Sequence, residues 1–195
     1  MSDDFSITGC FYEKNGEKFR KYLNIKIKNT ETINKPDLMV IMMNPGASEP
    51  VDGNDDGRKE VETIPDNTQY HIIEVMKHCN FNYARVINLS DLREADSKKF
   101  LPKIESLGKT YSIFSRKNDF NNLFEPNVPV ICAWGVDEKL EPLIEEAISK
   151  MNSIIGNSKR IGWLKEDNYY YHSSRKKKNE WEDEVTKQLK NNGAC

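Results

Sequence analysis

Long apolar runs are missing from this chain of 195 residues, in which hydrophobic residues make up 37% and charged residues 31%. No segment approaches the roughly 18 consecutive apolar residues of a membrane-spanning helix, so we expect no membrane partner. Residues 1–5 are acidic and lack the apolar core of a secretory signal. Together these absences predict a cytoplasmic protein.

Cysteine is scarce and scattered. The chain has four, Cys10, Cys79, Cys132 and Cys195, and none of them forms a Cys-x-x-Cys pair. This spacing favours neither a zinc site nor a disulfide framework. We therefore expect four reduced thiols, with Cys79 and Cys132 buried as small apolar side chains, and we predict no metal and no other cofactor.

An excess of basic residues is also absent, since 29 Lys and Arg face 31 Asp and Glu and the formal net charge is −2. Domains that bind duplex nucleic acid usually carry a clear basic excess, because neutralised phosphates supply most of the non-specific affinity. The charge balance leaves a long DNA or RNA partner open but favours a small ligand.

What the chain does have is an alternation of strand and helix patterns. Three apolar runs are typical of strands buried on both faces of a sheet, at 38–43, 84–89 and 128–133. Helical spacing of apolar residues follows at 68–79 and 138–155, and a last strand is expected to end at 169–172. This alternation predicts a three-layer α/β/α fold whose central sheet has four mostly parallel strands.

The N-terminal part predicts a β-hairpin at 7–28, because Asn15-Gly16 is a strong hairpin-turn dipeptide. We expect this hairpin at an edge of the sheet. The length suits one domain over residues 1–195, closed by an amphipathic helix at about 180–190. Trp181 and Val185 of that helix could pack on the body of the protein or on a second copy, so the oligomeric state stays open.

Residues suited to contacting a ligand follow each predicted strand of the central sheet. They are Asn44, Pro45 and Gly46, then Asn88, then Trp134 and Gly135, and finally Tyr171, His172, Ser173, Ser174 and Arg175. Because the carboxyl ends of parallel strands meet at one edge, we expect these segments to line a shared cavity. Amides suit the edge of a nucleobase, tyrosine stacks on planar rings, and imidazole can donate to a carbonyl that gains charge.

Most of these residues also have an ordinary structural interpretation. Asn44 before a proline is common turn chemistry, and Asn88 could cap a loop. Trp134 and Gly135 could be a core aromatic followed by a turn, and His172 among serines could simply be exposed. The basic run that begins at Arg175 is either a solvated turn or a segment that binds phosphate.

The segment 47–67 is rich in Asp, Gly, Asn and Pro and predicts a long functional loop. Its acidic part, 52–56, could bind a hard cation. It lacks the alternating oxygen ligands and the distal Glu of a calcium loop, so we predict no metal site there.

Four stretches, VIMMNPGASEP, RVINLSDLREAD, VICAWGVDEKL and LKEDNYYYHSS, together resemble the family known as domain of unknown function 1643, over roughly residues 10–175. The same elements are similar to motifs of the uracil-DNA glycosylase superfamily. This second resemblance implies that Asn44 orients an attacking water, Asn88 reads the base edge and His172 stabilises charge on the departing base. Gly46 would let the backbone approach the ligand closely.

The chain departs from the glycosylase pattern in two places. His172 is followed by Ser173 where that family has proline, and basic residues replace the apolar side chain that wedges into DNA. We therefore predict recognition of a nucleobase-containing ligand (a nucleoside, nucleotide or modified base), and leave open whether its N-glycosidic bond is hydrolysed. Two alternatives stay open: a non-catalytic phage-type protein that sequesters a nucleotide-derived signal, and a DNA-modification accessory protein that reads a modified base.

Overall fold

The computed structural model describes residues 4–28, 33–155, 160–175 and 178–195. Its strands are β1 (Phe5–Lys14), β2 (Glu17–Ile27), β3 (Leu38–Met42), β4 (Glu49–Pro50), β5 (Val61–Ile64), β6 (Tyr83–Asn88), β7 (Val130–Ala133), β8 (Leu164–Glu166) and β9 (Tyr169–Tyr170). The helices are α1 (Asn67–Cys79), α2 (Ser97–Leu107), α3 (Lys117–Leu123), α4 (Glu141–Ile155) and α5 (Lys178–Asn191). None of these helices is long and apolar enough to cross a membrane.

Seven strands form one mixed sheet in the order β4-β5-β1-β2-β6-β3-β7, and β8 and β9 form a separate ribbon. β3 pairs in parallel with β6 and β7, and an isolated parallel bridge joins Ile131 to Ile161. All the other pairings in this sheet are antiparallel. The fold is α/β as predicted, but the expectation of four mostly parallel strands is wrong, because antiparallel strands make up more than half of the sheet.

The N-terminal hairpin is confirmed, although its expected place at an edge is wrong. Asn15 and Gly16 have φ angles of 54° and 76°, the left-handed pair that a tight hairpin turn needs. β2 pairs with β6, while β1 pairs with β5, which arises from the segment 47–67. The hairpin therefore lies inside the sheet, because part of the predicted loop adds two short strands beyond it.

A β-bulge interrupts the hairpin at Lys21. Cys10 pairs with Tyr22 and Phe11 pairs with Arg20, so Lys21 has no partner in β1. A bulge adds one residue to a strand and re-aims the side chains that precede it. Arg20 consequently stands on the same face of the sheet as the last residue of β3.

Helices cover both faces of the sheet and enclose two cores. One core packs Met39 and Ile41 of β3 against α2, α3 and α4, and the other packs Leu38 and Val40 against α1 and α5. The alternation along β3 explains why its sequence is apolar throughout, since both of its faces are covered.

The C-terminal helix packs on the body of the protein. Trp181, Val185 and Leu189 are fully buried and share a core with α1. His71 of α1 lies 2.8 Å from Glu182 of α5 through Nδ1 and Oε1. These contacts answer the question left by the sequence about Trp181 and Val185.

Two of the four cysteines are not reduced thiols. A disulfide joins Cys79, the last residue of α1, to Cys195. Cys10 and Cys132 are free and buried. The expectation of four reduced thiols is therefore wrong, because the packing of α5 along α1 brings together two cysteines that are far apart in sequence.

Candidate functional site

A cavity of about 760 Å³ opens at the carboxyl ends of β3 and β7, within the size range of small-molecule sites. Seven of the residues predicted from the sequence line it: Asn44, Pro45 and Gly46 after β3, Gly135 after β7, and Tyr171, His172 and Ser174 after β9. Three segments remote in sequence thus meet around one space.

The segment after β3 forms part of the cavity wall. Asn44 donates through Nδ2 to the carbonyls of Leu92 and Glu94, at 3.3 and 2.6 Å. Gly46 has a φ of 63°, a conformation that side chains disfavour. The amide nitrogen of Asn44 is therefore hydrogen-bonded to the backbone between β6 and α2. The side-chain carbonyl oxygen is the atom of Asn44 suited to holding a water.

His172 is oriented by the turn that follows it. Its Nδ1 accepts from the backbone N–H of Ser174 at 3.2 Å and lies 2.8 Å from the Ser174 hydroxyl. Because a backbone N–H can only donate, the neutral imidazole carries its proton on Nε2. On the other side, Trp181 donates from Nε1 to the carbonyl of Tyr171 at 3.2 Å, so α5 supports this wall of the cavity.

Asn88 lies beside the cavity but is not part of its surface. In the β3–β6 register it is the partner of Met42, which lines the cavity, so both side chains stand on the same face. Asn88 is fully buried, and neither Nδ2 nor Oδ1 has a hydrogen-bond partner within the four described stretches. Buried amides are normally satisfied, which makes this one an exception that needs an explanation.

Trp134 and Ser173 do not line the cavity. Trp134 is fully buried, donates from Nε1 to the carbonyl of Asn168 at 2.9 Å and meets Tyr170 edge-on. Ser173 is buried, and its hydroxyl has no hydrogen-bond partner among the residues that the structure describes. The side chain of Arg175 lies outside the described residues.

Arg20 is a cavity residue that sequence reasoning missed. It lines the cavity although only 2% of it is exposed, and among the described residues its Nε and Nη1 have no hydrogen-bond partner. Burial lowers its pKa to about 10, against the attraction of Asp66, so the guanidinium is charged at neutral pH. In the sequence Arg20 stands among lysines, and the bulge at Lys21 that turns it inward leaves no sequence signal.

Two carboxylates also line the cavity, and each caps a helical turn. Asp66 accepts from the backbone of Thr68 and Gln69 at the start of α1. Asp137 accepts from Lys139 at 3.0 Å. Both acids therefore have backbone partners, whereas Arg20 has two unpaired nitrogens.

The acidic segment 52–56 is held by basic side chains. Asp55 pairs with Arg93 at 2.7 Å and with Lys18 at 3.4 Å, and Asp56 pairs with Arg58 at 2.8 Å. In the four described stretches of the chain, no group of three or more His, Cys, Asp and Glu side chains is placed to hold a metal ion.

Comparison with known proteins places the chain in a family. The model of a protein family of unknown function, DUF1643, matches residues 26–178. No curated protein and no solved structure matches the chain, so the resemblance to uracil-DNA glycosylases finds no support in these comparisons. Since the family match spans well over half of the sequence, the chain belongs to the DUF1643 family.

Proposed function

We propose that this protein binds a nucleobase-containing small molecule in the cavity at the carboxyl ends of β3 and β7. The observation that carries the proposal is the convergence of Asn44, Gly135 and His172 around one space of about 760 Å³. A nucleoside or nucleotide fits a cavity of this size.

The lining suits a planar ring with polar edges. Met42, Ile72 and Val86 supply apolar surface, and Tyr171 supplies an aromatic ring, which favours stacking. His172 presents an N–H donor at Nε2 in its neutral form. The unpaired amide of Asn88, beside Met42 on the next strand, is the group best suited to read a base edge after a small movement of the wall.

The proposed partner is a small molecule, and a long nucleic acid is less favoured. The net charge of −2 supplies little general attraction for a phosphate backbone. A cavity that contains the carboxylates of Asp66 and Asp137 beside one buried arginine favours a ligand with one localised negative group.

Hydrolysis of the N-glycosidic bond is the second candidate function, and it retains the glycosylase-like roles of Asn44 and His172. His172 would donate from Nε2 to the base oxygen that gains charge, and Asn44 would hold water through Oδ1. The two carboxylates of the cavity already serve as helix caps, so we assign neither of them the role of general base. We therefore expect binding to be strong and any hydrolysis to be slow.

The first experiment is mass spectrometry of the ligand released by heat from the purified protein. We expect a nucleobase-containing molecule from the wild type and little from His172→Ala. His78→Ala is the matched control, because His78 is exposed on α1 and does not line the cavity. The protein is then titrated with nucleobases, nucleosides and nucleotides.

The products separate the alternatives. Release of free base, lost in Asn44→Ala, supports hydrolysis, whereas recovery of intact ligand supports a sequestering protein. Tight binding of modified oligonucleotides with a steep salt dependence supports a modified-base reader. If no released or added nucleobase compound binds the wild type, the proposed function is wrong.

A further inference from the structure

We propose that Arg20 is an anion-binding residue on the floor of the cavity, where its guanidinium holds an oxyanion of the ligand, the phosphate of a nucleotide. This inference rests on the proposed function and specifies the ligand class: a nucleobase compound that carries a phosphate, with the negative group bound deepest.

The first observation is that Arg20 is buried without the partners that buried arginines have. It is 2% exposed, and Nε and Nη1 have no hydrogen-bond partner in the part of the chain that the structure describes. The half-buried Arg85 in the same sheet provides the contrast. Its Nε donates to Asn24, its Nη1 donates to the carbonyl of Leu123, and its Nη2 donates to Tyr83.

The second observation is the direction in which Arg20 faces. It lines the cavity together with Met42 and Val86, which share one face of β3 and β6, because the bulge at Lys21 turns it to that face. Bulges often occur next to binding sites, where they re-aim one side chain. The backbone irregularity and the unpaired charge thus point to the same space.

Leaving a charged guanidinium unpaired away from water is costly. Asp66 attracts Arg20 and raises its pKa, yet burial dominates and lowers that pKa to about 10. The Asp66 carboxylate is already bonded to Thr68 and Gln69. A bound oxyanion would supply the missing acceptors and a compensating charge.

The start of α1 adds to the positive potential of the same space. Asn67 and Thr68, the first residues of this 13-residue helix, line the cavity. A helix N-terminus favours negative charge, although Asp66 takes two of its N–H groups. Direct hydrogen bonds to the oxyanion would therefore come from Arg20, and the helix would contribute its field.

The ligand is a phosphate ester and not a neutral base edge, because only an anion compensates the buried charge. Carbonyl oxygens of a base would accept from Arg20 but would leave its charge uncompensated. Phosphate supplies several acceptor oxygens together with negative charge.

The test is calorimetric titration of the full chain with the four 5′-mononucleotides, the corresponding nucleosides and inorganic phosphate. In Arg20→Met we expect the best-bound nucleotide to bind about 10- to 100-fold more weakly, with nucleoside affinity changed by less than about 3-fold. Arg20→Lys keeps a charge without the planar guanidinium, so its nucleotide affinity should lie between those of the wild type and Arg20→Met. Arg85→Met is the control, and its nucleotide affinity should equal that of the wild type.

The outcomes separate this inference from the proposed function. Arg20 does not bind phosphate if Arg20→Met weakens the binding of nucleosides as much as that of nucleotides, or if the wild type binds both with equal affinity. In either case the proposed binding of a nucleobase still stands. If phosphate binds the wild type but not Arg20→Met while nucleosides fail to bind, the anion site stands and the proposed function is wrong. Absence of binding by every probe overturns both. Circular dichroism of each variant establishes that it is folded. If Arg20→Met does not fold, the nucleotide affinity of Arg20→Lys decides whether Arg20 binds phosphate.

Discussion

Asn44 donates its side-chain amide to the carbonyl of Glu94 across 2.6 Å. The same nitrogen lies 3.3 Å from the carbonyl of Leu92, so one side chain ties the end of β3 to the segment that leads into α2. The residue that the glycosylase resemblance assigns to water activation is thus also a structural brace.

This brace predicts the effect of two substitutions. Asn44→Asp would place a carboxylate against two carbonyl oxygens and should destabilise the fold by about 2–4 kcal/mol. Asn44→Ala removes the donor alone and should cost about 1–2 kcal/mol. Urea denaturation measures both. An Asn44→Asp protein as stable as the wild type would contradict the proposed bracing role.

Arg20 and Arg85 should respond in opposite ways to substitution by methionine. Arg20→Met removes a buried charge with unpaired nitrogens and should stabilise the ligand-free protein by about 1–3 kcal/mol. Arg85→Met leaves the groups that accept from it without a donor and should destabilise it by about 2–4 kcal/mol. Thermal unfolding measures both changes. Destabilisation of equal size at both positions would mean that Arg20 has a structural role.

Asn88 and Asn24 form a second matched pair, since both are buried. Asn24 donates to Glu60 and accepts from Arg85, whereas neither amide atom of Asn88 has a partner in the described part of the chain. Asn88→Leu should change the free energy of unfolding by less than about 1 kcal/mol, and Asn24→Leu should cost about 2–3 kcal/mol. Asn88→Leu should also weaken nucleobase binding, and unchanged affinity would remove Asn88 from the proposed site.

Thiol labelling tests the disulfide and the burial of the other cysteines. Burial raises the pKa of Cys10 and of Cys132, so neither thiol should react with iodoacetamide at pH 8 in the native protein. Without reductant we expect no label on the native protein and two labels after unfolding, since two cysteines are free. Unfolding with reductant should give all four. Four labels without reductant would contradict the link between Cys79 and Cys195.

Asp91 predicts a pH dependence of stability. It is fully buried, accepts from Tyr12 and pairs with Arg116 at 2.6 Å. Burial raises its pKa from 3.8 to about 7, although Arg116 opposes the shift. A carboxyl whose folded pKa is raised stabilises the fold below the unfolded pKa and loses that contribution as pH rises through the folded value.

Stability should therefore fall between about pH 4 and about pH 7 because of this carboxyl. The difference between the urea-denaturation profiles of the wild type and Asp91→Asn isolates its contribution. If the stability of the wild type relative to Asp91→Asn instead rises with pH, the ion pair with Arg116 outweighs burial.

The central strands and long helices could be predicted from the sequence because their apolar patterns are local. The runs at 38–43 and 84–89 became β3 and β6, and the patterns at 68–79 and 138–155 became α1 and α4, the latter preceded by a short 3-10 turn. The strand order could not be predicted, because the pairing of β1 with β5 depends on contacts between segments about fifty residues apart in the chain. β4 and β5 are too short to show periodicity.

The candidate site was predicted in part for the same reason. Asn44 and Gly135 follow the predicted strands β3 and β7 and line the cavity. His172 lines it too, but the expectation that it ends a parallel strand of the central sheet is wrong, because β9 belongs to the separate ribbon. Arg20 was missed, because an unbroken alternation along β2 would turn it away from the cavity. The disulfide was missed because sequence spacing does not reveal which cysteines packing brings together.

The bulge at Lys21 separates the place of Arg20 in the chain from the sheet face on which it stands. Arg20 is three residues before Leu23, yet both stand on the same face, because Lys21 is an extra residue between them. Deleting Lys21 would restore regular alternation along β2 and leave Arg20 opposite Phe11, on that same face. Within such a family, a chain that lacks this codon would therefore have the equivalent arginine two residues before its leucine, and an alignment without a gap would miss it.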